Sequence, residues 1–303
     1  MLTVTLVASL AAAALWQQWR SLEVETAQRA RVQSAWMLVG ALDWARLILR
    51  EDARSGGADH LGEPWAVPLE EARLATFFAS DSNATDRADD VQQSFVSGQI
   101  IDLQSRLNVT NLVENGKLSP VALKQFAKLF DLLGLSEGEL GAFAENLRFA
   151  LDTSPDNRSA NLAPLVPQRV EQLVWLGLSR STITRLTPFV TVLPVRTAVN
   201  LNTAPAEVLY AAIPTLDLAG ARQMVIARAL LHFSSLIDAG RALGPRFAEI
   251  AEGQHSVSTR FFEVRGRLRL DQVTVMERSV VQRDGLDVKT LSRERFAGDA
   301  SLQ

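Results

Sequence analysis

Residues 1–18 read MLTVTLVASLAAAALWQQ and contain no charged side chain, and residues 19–50 continue as WRSLEVETAQRARVQSAWMLVGALDWARLILR. Neither part contains proline, and the first glycine is Gly40. The uncharged part has the composition of a segment in hydrocarbon, whereas the charged part indicates one face in water. We therefore predict one continuous helix over residues 1–50, with a membrane-anchoring first half and an amphipathic second half.

The first half of this helix predicts a membrane span. The span residues would be Leu2, Val4, Leu6, Val7, Leu10, Leu15 and Trp16. The run is slightly shorter than the roughly 20 residues that cross a bilayer, so the span looks shortened at its front. No basic segment precedes it, which favours an anchor over the two alternatives, a cleaved signal peptide and a buried core helix.

The second half of the helix predicts a stripe that packs on a β-sheet. The stripe consists of aliphatic residues at helical spacing, namely Val32, Val39, Leu42 and Leu49. Near the other end of the chain the period changes to two, and the apolar positions are Phe262, Val264, Leu268 and Leu270. Alternation with charged residues is typical of an antiparallel sheet with one wet face. We expect the stripe to lie on the dry face.

Composition limits the functions that the chain can have. Apolar residues make up 47% of the 303 residues and charged residues 21%, which is ordinary for a globular protein. The net charge of −3 argues against a general polyanion binder. The chain has no cysteine, which excludes disulfides, thiolate metal ligands and a cysteine nucleophile.

Between the long helix and the final strands the pattern changes several times. Residues 69–78 favour a short helix, and residues 94–109 favour a strand or a strand pair. A helical block then extends to about residue 255 and begins with a helical hairpin over residues 121–151. After Leu291 the chain is polar and is expected to be loose.

Catalytic and metal-binding patterns are weak. His60, His232 and His255 do not have the spacing of metal ligands, and no nucleophile motif or phosphate-binding loop is present. Residues 80–90 are acidic, but their spacing does not match a calcium loop. We expect that the protein is not an enzyme.

One segment resembles a nucleic-acid module. Residues 201–220, LNTAPAEVLYAAIPTLDLAG, predict two short helices joined by a hairpin, as in the helix-hairpin-helix module, with Thr203 capping the first helix. The hairpin lacks a Gly-x-Gly turn and places Asp217 where a phosphate would have to lie. We therefore interpret this unit as a packing unit and expect no nucleic-acid partner.

Three motifs together resemble the general secretion pathway protein K family, the large minor pseudopilins of the bacterial type II secretion system. They are the apolar helix that ends in LWQQ at residues 15–18, the segment GQIIDLQSRLNVTNL at residues 98–112, and NLNTAPAEVL at residues 200–209. The candidate structural residues within the last two motifs are Asp102, Arg106, Asn108, Asn200, Asn202 and Thr203. We expect Asp102, Arg106 and Asn108 to hold the sheet to the helical block rather than to contact a partner.

The resemblance implies an α+β fold in which a long N-terminal helix packs on an antiparallel sheet and a large all-helical domain is inserted between strands. The expected parts are the anchoring helix (1–50), the first part of a pilin-like domain (51–115), the helical insert (116–255), the second part of the sheet (256–290) and a flexible tail (291–303). Some relatives bind calcium through an acidic loop. Here the corresponding loop keeps only Asp152 and Asp156, and two carboxylates rarely supply the oxygen ligands that calcium needs. We therefore expect no cofactor, with calcium at these two residues as the alternative.

The implied function is that of a minor pseudopilin at the tip of a short filament, which it starts or caps together with other minor pseudopilins. The protein would be a single-pass inner-membrane protein with its bulk in the periplasm, and a prepilin peptidase would process any basic leader. Two other hypotheses remain: a membrane-anchored helix-hairpin-helix protein for DNA uptake, and a membrane-anchored hydrolase.

Overall fold

A single long helix, α1 (Leu2–Ser55), begins the chain in this computed structural model, which describes residues 2–73, 94–152, 154, 160–244, 250–270 and 273–297. Its 54 residues make it about 80 Å long at 1.5 Å per residue. Within the described residues, none of the helices combines the length and the apolarity needed for a membrane crossing. The predicted long N-terminal helix is confirmed.

Short helices and strands follow α1. The helices are α2 (Pro120–Leu132), α3 (Glu137–Ala150), α4 (Arg180–Leu186), α5 (Ala206–Ala212), α6 (Leu218–Leu230) and α7 (Leu236–Leu243). The strands are β1 (Leu69–Arg73), β2 (Ser94–Asp102), β3 (Leu107–Asn108), β4 (Val113–Glu114), β5 (Lys117–Leu118), β6 (Val190–Thr191), β7 (Val199–Asn200), β8 (His255–Ser256), β9 (Phe261–Leu270), β10 (Val273–Asp284) and β11 (Asp287–Ala297).

The main sheet has five antiparallel strands in the order β1, β2, β9, β10, β11. The chain leaves this sheet after β2 and returns to it at β9, and α2 to α7 lie in the part between. The insert therefore splits the sheet, as expected. This arrangement confirms the predicted α+β class.

One face of α1 packs on the sheet. Its buried residues are Ser34, Leu38, Leu42, Ala45 and Leu49. Two hydrophobic clusters join this face to the sheet residues Val96, Phe262, Val264, Leu268, Val275, Val281 and Val288. Burial of each leucine side chain contributes roughly 1.5 to 3 kcal/mol, so this contact is a large part of the stability.

The predicted stripe was wrong at its N-terminal end. Val32 is 57% exposed and Val39 is only half-buried, whereas Leu38 is 2% exposed. Val32 lies roughly 120° around the helix from Leu38, and hydrophobicity does not distinguish these residues. Gly266 helps to select Leu38, since a Cβ on Gly266 would lie 3.1 Å from Leu38 Cδ2.

Two further predictions were wrong. Residues 69–73 form the edge strand β1 rather than a helix, because they pair with β2; the remainder of the predicted helix, residues 74–78, lies outside the described residues. Residues 291–297 are not a loose tail, because they continue β11, in which residues 292–297 pair with residues 275–280 of β10. Residues 298–303 lie outside the described residues.

The insert has its own hydrophobic core. Its large buried residues include Phe126, Leu129, Phe130, Phe143, Leu147, Leu173, Leu176 and Leu209. The predicted hairpin of two helices is present as α2 and α3, separated by a left-handed glycine, Gly134. This core is separate from the clusters under α1.

The α1 contact can be tested with a matched pair of substitutions. Leu38→Asp places an unpaired charge in a buried site and should lower the free energy of unfolding by roughly 3 kcal/mol or more. Val32→Asp, on the exposed side of the same helix, should change it by no more than about 0.5 kcal/mol. Urea unfolding of the full chain in a non-ionic detergent measures both. Equal losses would contradict this packing.

Candidate functional site

A buried carboxylate lies where the sheet meets the insert. Asp102 is the last residue of β2 and is 2% exposed. Its Oδ1 accepts a hydrogen bond from the Gln104 backbone N–H at 2.7 Å. Its Oδ2 accepts bonds from Asn200 Nδ2 at 2.9 Å and from Thr203 Oγ1 at 2.6 Å. One carboxylate therefore joins the end of a sheet strand to a distant part of the insert.

Burial and hydrogen bonding act on Asp102 in opposite directions. Burial raises the pKa of its carboxyl, whereas the donors from Thr203, Thr259 and Asn200 lower it, and the net direction is upward. The folded state therefore binds this proton more tightly than the unfolded chain does. Keeping the Asp102 carboxylate charged inside the protein therefore costs free energy, and the hydrogen-bond donors offset part of that cost.

A second buried carboxylate, Asp59, continues the same network. Asn200 Nδ2 also donates to the Asp59 backbone carbonyl at 3.2 Å, and the Thr259 N–H donates to Asp59 Oδ2 at 2.7 Å. Arg283, at the end of β10, forms ion pairs with Asp59 and, at 2.5 Å, with Asp52 of α1. The end of α1, the sheet and the insert are thus joined by one polar network.

Gln104 adds another link that sequence reasoning missed. Its Nε2 donates to the Ala198 carbonyl at 3.0 Å, and its Oε1 accepts from the Arg260 N–H at 2.8 Å. Asp59 and Arg283 lie outside the quoted motifs, and Gln104 lies within the segment 98–112 but has no feature there that predicts its partners. Only their partners, far away in sequence, give them a role.

The Asn108 side chain forms a second set of buried hydrogen bonds. Its Nδ2 donates to the Val195 carbonyl at 2.8 Å and to Thr197 Oγ1 at 3.1 Å. Its Oδ1 accepts from the N–H groups of Thr110 at 3.1 Å and Leu193 at 3.2 Å. The side chain is 1% exposed and joins β3 to the segment that follows β6 in the insert.

The motif around residue 200 uses its side chains internally. Asn202 both donates to and accepts from the backbone of Phe233, at 2.9 and 2.8 Å. The sequence predicted that Thr203 caps α5, and this prediction was wrong. The N-cap position is Pro205, and the Thr203 hydroxyl donates to Asp102 instead. A buried carboxylate is a stronger acceptor than the alternatives nearby.

Arg106 lies at the same junction but is only half-buried. Burial lowers the pKa of its guanidinium, and the charge of Glu263 on β9 raises it, with a net lowering. Both residues line a cavity of about 80 Å³ between the insert and the sheet. Asp102 therefore joins the sheet to the insert, and Arg106 lines the cavity between them. Asn108 joins two parts of the insert and does not join the sheet to the insert, contrary to the prediction.

Of the two candidate calcium ligands, only Asp152 lies within the described residues. Asp152 accepts hydrogen bonds from the N–H and the hydroxyl of Ser154, at 3.0 and 2.6 Å, and Asp156 lies outside the described residues. The acidic segment 80–90 also lies outside them.

A different acidic group does converge. Asp52, Asp59 and Glu63 each place a carboxylate oxygen within 4.8 Å of the other two. Arg283 pairs with both aspartates, and Glu63 accepts bonds from the His60 N–H and Trp65 Nε1, each at 2.8 Å. Each of these carboxylates therefore forms an ion pair or hydrogen bonds with donors of the protein itself.

Two of the three histidines contact each other. His60 and His232 stack with ring centroids 3.8 Å apart and planes 9° apart. His255 is buried, and its Nε2 lies 3.3 Å from the Ala212 carbonyl. Burial lowers the pKa of His255, which keeps the ring neutral.

The side of α1 opposite the sheet carries large exposed apolar residues among charged ones such as Arg29 and Asp43. We call this surface the outer face; its large exposed residues are Trp19, Leu22, Val32, Trp36, Trp44 and Leu47. Trp36 is 72% exposed and Trp44 is 50% exposed. Nearer the N-terminus, the predicted span residues Val4, Leu6, Val7, Leu10, Leu15 and Trp16 are also exposed. Leu2 belongs to α1, but its side chain lies outside the described residues.

A groove adjoins the outer face. It has a volume of about 240 Å³ and lies between α1 and residues 64–69, with Trp44 and Val67 among its lining residues. Its lining is mostly apolar and includes Ser279, whose buried Oγ has no hydrogen-bond partner in the described part of the chain. An apolar groove beside exposed tryptophans is typical of a protein-binding surface.

Comparisons with known proteins fit these features. Two family models described as "Type II secretion system (T2SS), protein K" match residues 105–195 and 199–258. The type II secretion system protein K of Pseudomonas aeruginosa is 30% identical over 299 residues, covering 91% of this chain and 84% of that protein. In the crystal structure of the GspK-GspI-GspJ complex from the enterotoxigenic Escherichia coli type 2 secretion system, one chain has a TM-score of 0.67 and 18% identity. That match covers 90% of this chain and 99% of the other.

The long helix on a split antiparallel sheet and these matches define the class as a minor pseudopilin of the type II secretion system. Within this class, the chain belongs to the protein K family.

The junction can be tested by removing its carboxylate. Asp102→Ala leaves three buried donors without their acceptor and should lower the free energy of unfolding at pH 7 by roughly 3 kcal/mol. Asp131→Ala, at an exposed acidic position in α2, should change it by less than about 0.5 kcal/mol. Urea unfolding measures both variants.

The same pair tests the direction of the pKa shift. A carboxyl with a raised folded-state pKa contributes stability that is fully present below its unfolded pKa of 3.8 and is lost as the pH rises through the folded pKa. The stability difference between wild type and Asp102→Ala should therefore be larger at pH 3.5 than at pH 7. A difference that grows with pH would mean that the three donors outweigh burial.

Proposed function

We propose that this protein occupies the tip of the type II secretion pseudopilus, where it initiates or caps assembly with other minor pseudopilins for protein export across the outer membrane. The observation that carries this proposal is the position of the insert. The chain leaves the sheet at Asp102 and returns at Phe261, and Arg283 ties that end of the sheet to Asp52 near the C-terminal end of α1. The insert thus lies at the far end of α1 from its apolar half.

This position has a consequence for filament growth. A pilin-like subunit extends a filament only when another subunit can stack above it. A helical body of about 150 residues, held there by buried polar contacts, occupies that space. The molecule would then start or end a filament but would not lie within it.

The apolar half of α1 supports a location in the cell envelope. We propose that it anchors the protein in the inner membrane as a single pass, with the bulk of the chain in the periplasm. Its aliphatic side chains are exposed over four turns, and Trp16 and Trp19, with ring centroids 5.4 Å apart, precede Arg20, as at a membrane interface. A prepilin peptidase would act on a basic leader.

The outer face of α1 supports other minor pseudopilins as the partners. The complex named GspK-GspI-GspJ holds a chain of this fold together with two other proteins. We propose that the corresponding partners of this chain lay apolar helices along Trp36, Trp44 and Leu47. The sheet contact holds α1 in one rotation, so these side chains are presented outward in the unbound molecule.

Other functions receive less support. DNA uptake through the helix-hairpin-helix unit would need donors for phosphate. Asp217 instead caps α6, accepting from the Gly220 N–H at 2.7 Å, and places a carboxylate at the hairpin. We propose a structural role without catalysis, cofactor or nucleic acid, since the polar side chains of the junction bind one another.

The partner surface gives a direct experiment. Trp36→Glu should weaken co-purification of the full chain with the other minor pseudopilins at least tenfold, because a charge would enter an apolar helix contact. Trp175→Glu, which alters a tryptophan of the insert that is 43% exposed, should leave it unchanged. Unimpaired assembly of Trp36→Glu would sink the proposed surface, and salt-sensitive retention of the wild type on DNA would favour the uptake hypothesis.

A further inference from the structure

Three backbone carbonyls converge on one ammonium group in the insert. Lys128 of α2 places Nζ 2.8 Å from the carbonyl oxygen of Ile213, 2.9 Å from that of Pro214 and 3.1 Å from that of Leu216. These carbonyls belong to the hairpin between α5 and α6. Nζ also lies 4.3 Å from the centre of the Tyr210 ring.

This arrangement has the chemistry of a cation site. The last carbonyls of a helix lack intrahelical donors and carry the negative end of its dipole. Ile213 is the C-cap residue of α5, and the neighbouring Ala212 carbonyl accepts from Gln125 Nε2 at 3.1 Å. Converging backbone carbonyls are also the ligands by which proteins hold potassium ions. The aromatic face of Tyr210 favours a cation as well.

We propose that residues 213–216 form a monovalent-cation site and that Lys128 fills this site from α2. The side chain acts as a tethered cation, which pins the hairpin to α2 and removes any need for a dissolved ion. Because the Lys128 ammonium already binds these carbonyl oxygens, the insert should be equally stable in salts of different monovalent cations. This inference concerns the insert alone and does not depend on the tip assignment.

The proposal predicts a chemical rescue. Lys128→Ala removes the ammonium and opens space beside the three carbonyls. In tetramethylammonium chloride, whose cation is too bulky to enter, the melting temperature of the full chain should fall by roughly 5 °C or more. In potassium chloride at the same ionic strength, at least half of this loss should be recovered, because potassium can occupy the vacated position. The wild type should melt at the same temperature in both salts.

Two control variants separate a filled site from general salt effects. Lys124→Ala removes an exposed lysine one turn away on α2 and should show no difference between the two salts. Lys128→Met keeps a long side chain in the site without a charge, so it should be destabilised and not rescued. A Lys128→Ala variant that responds equally to both salts, or a potassium response of Lys128→Met as large as that of Lys128→Ala, would overturn the proposal.

A measurement on the unaltered chain keeps the proposal testable if Lys128→Ala does not fold. Acetylation by a small amine-reactive ester, followed by mass spectrometry, compares the two lysines of α2. Lys128 should react at least tenfold more slowly than Lys124, because its ammonium is bound by the hairpin. Equal rates would contradict a filled site.

Discussion

The contact between the inner face of α1 and the main sheet is the constraint on which the rest of the structure depends. Leu38, Leu42 and Leu49 are buried against residues of four strands, and Gly266 lets the helix approach closely. Each of these buried aliphatic side chains contributes about 1.5 to 3 kcal/mol, which is large beside the net stability of a typical domain, roughly 5 to 15 kcal/mol. Rotation of the helix would expose these side chains, so the sheet contact holds α1 at one rotation. Its opposite side must remain on the surface.

The polar junction extends this constraint to the insert. Hydrophobic burial alone would hold two bodies together without fixing their orientation, because it is non-directional. Asp102 and Asp59 fix the orientation, because hydrogen bonds are directional. Asp102 accepts bonds from Asn200 and Thr203 of the insert, and Asp59 accepts one from the Thr259 N–H. Removing water from these carboxylates is costly, as the raised pKa values of both show. The network remains stable because the buried oxygens have donors, including Arg283.

Much of this arrangement could be predicted from the sequence. The uncharged run and the absence of proline identify α1, the period of two identifies β9, and the motifs around Asp102 and Asn200 support an insert between strands. Finer features could not be predicted because they depend on long-range partners. Val32 and Leu38 are equally apolar, and only the sheet distinguishes them. Residues 69–73 and 291–297 become strands because neighbouring strands supply their hydrogen bonds, which overrides their local preference.

The candidate site was predicted in part. Asp102, Asn200 and Thr203 lie at the junction, but Asp59, Gln104 and Arg283 are joined to it only by folding.

The functional account follows from the two faces of α1. The inner face holds the head at a fixed rotation, and we propose that the outer face presents its apolar side chains to the helices of neighbouring subunits. Photo-crosslinking in the assembled secretion system tests this division most directly, with a diazirine analogue of leucine placed at either Leu47 or Leu38. The account predicts crosslinks to other minor pseudopilins from position 47 and only internal crosslinks to the sheet from position 38. Intermolecular crosslinks from position 38, with none from position 47, would contradict it.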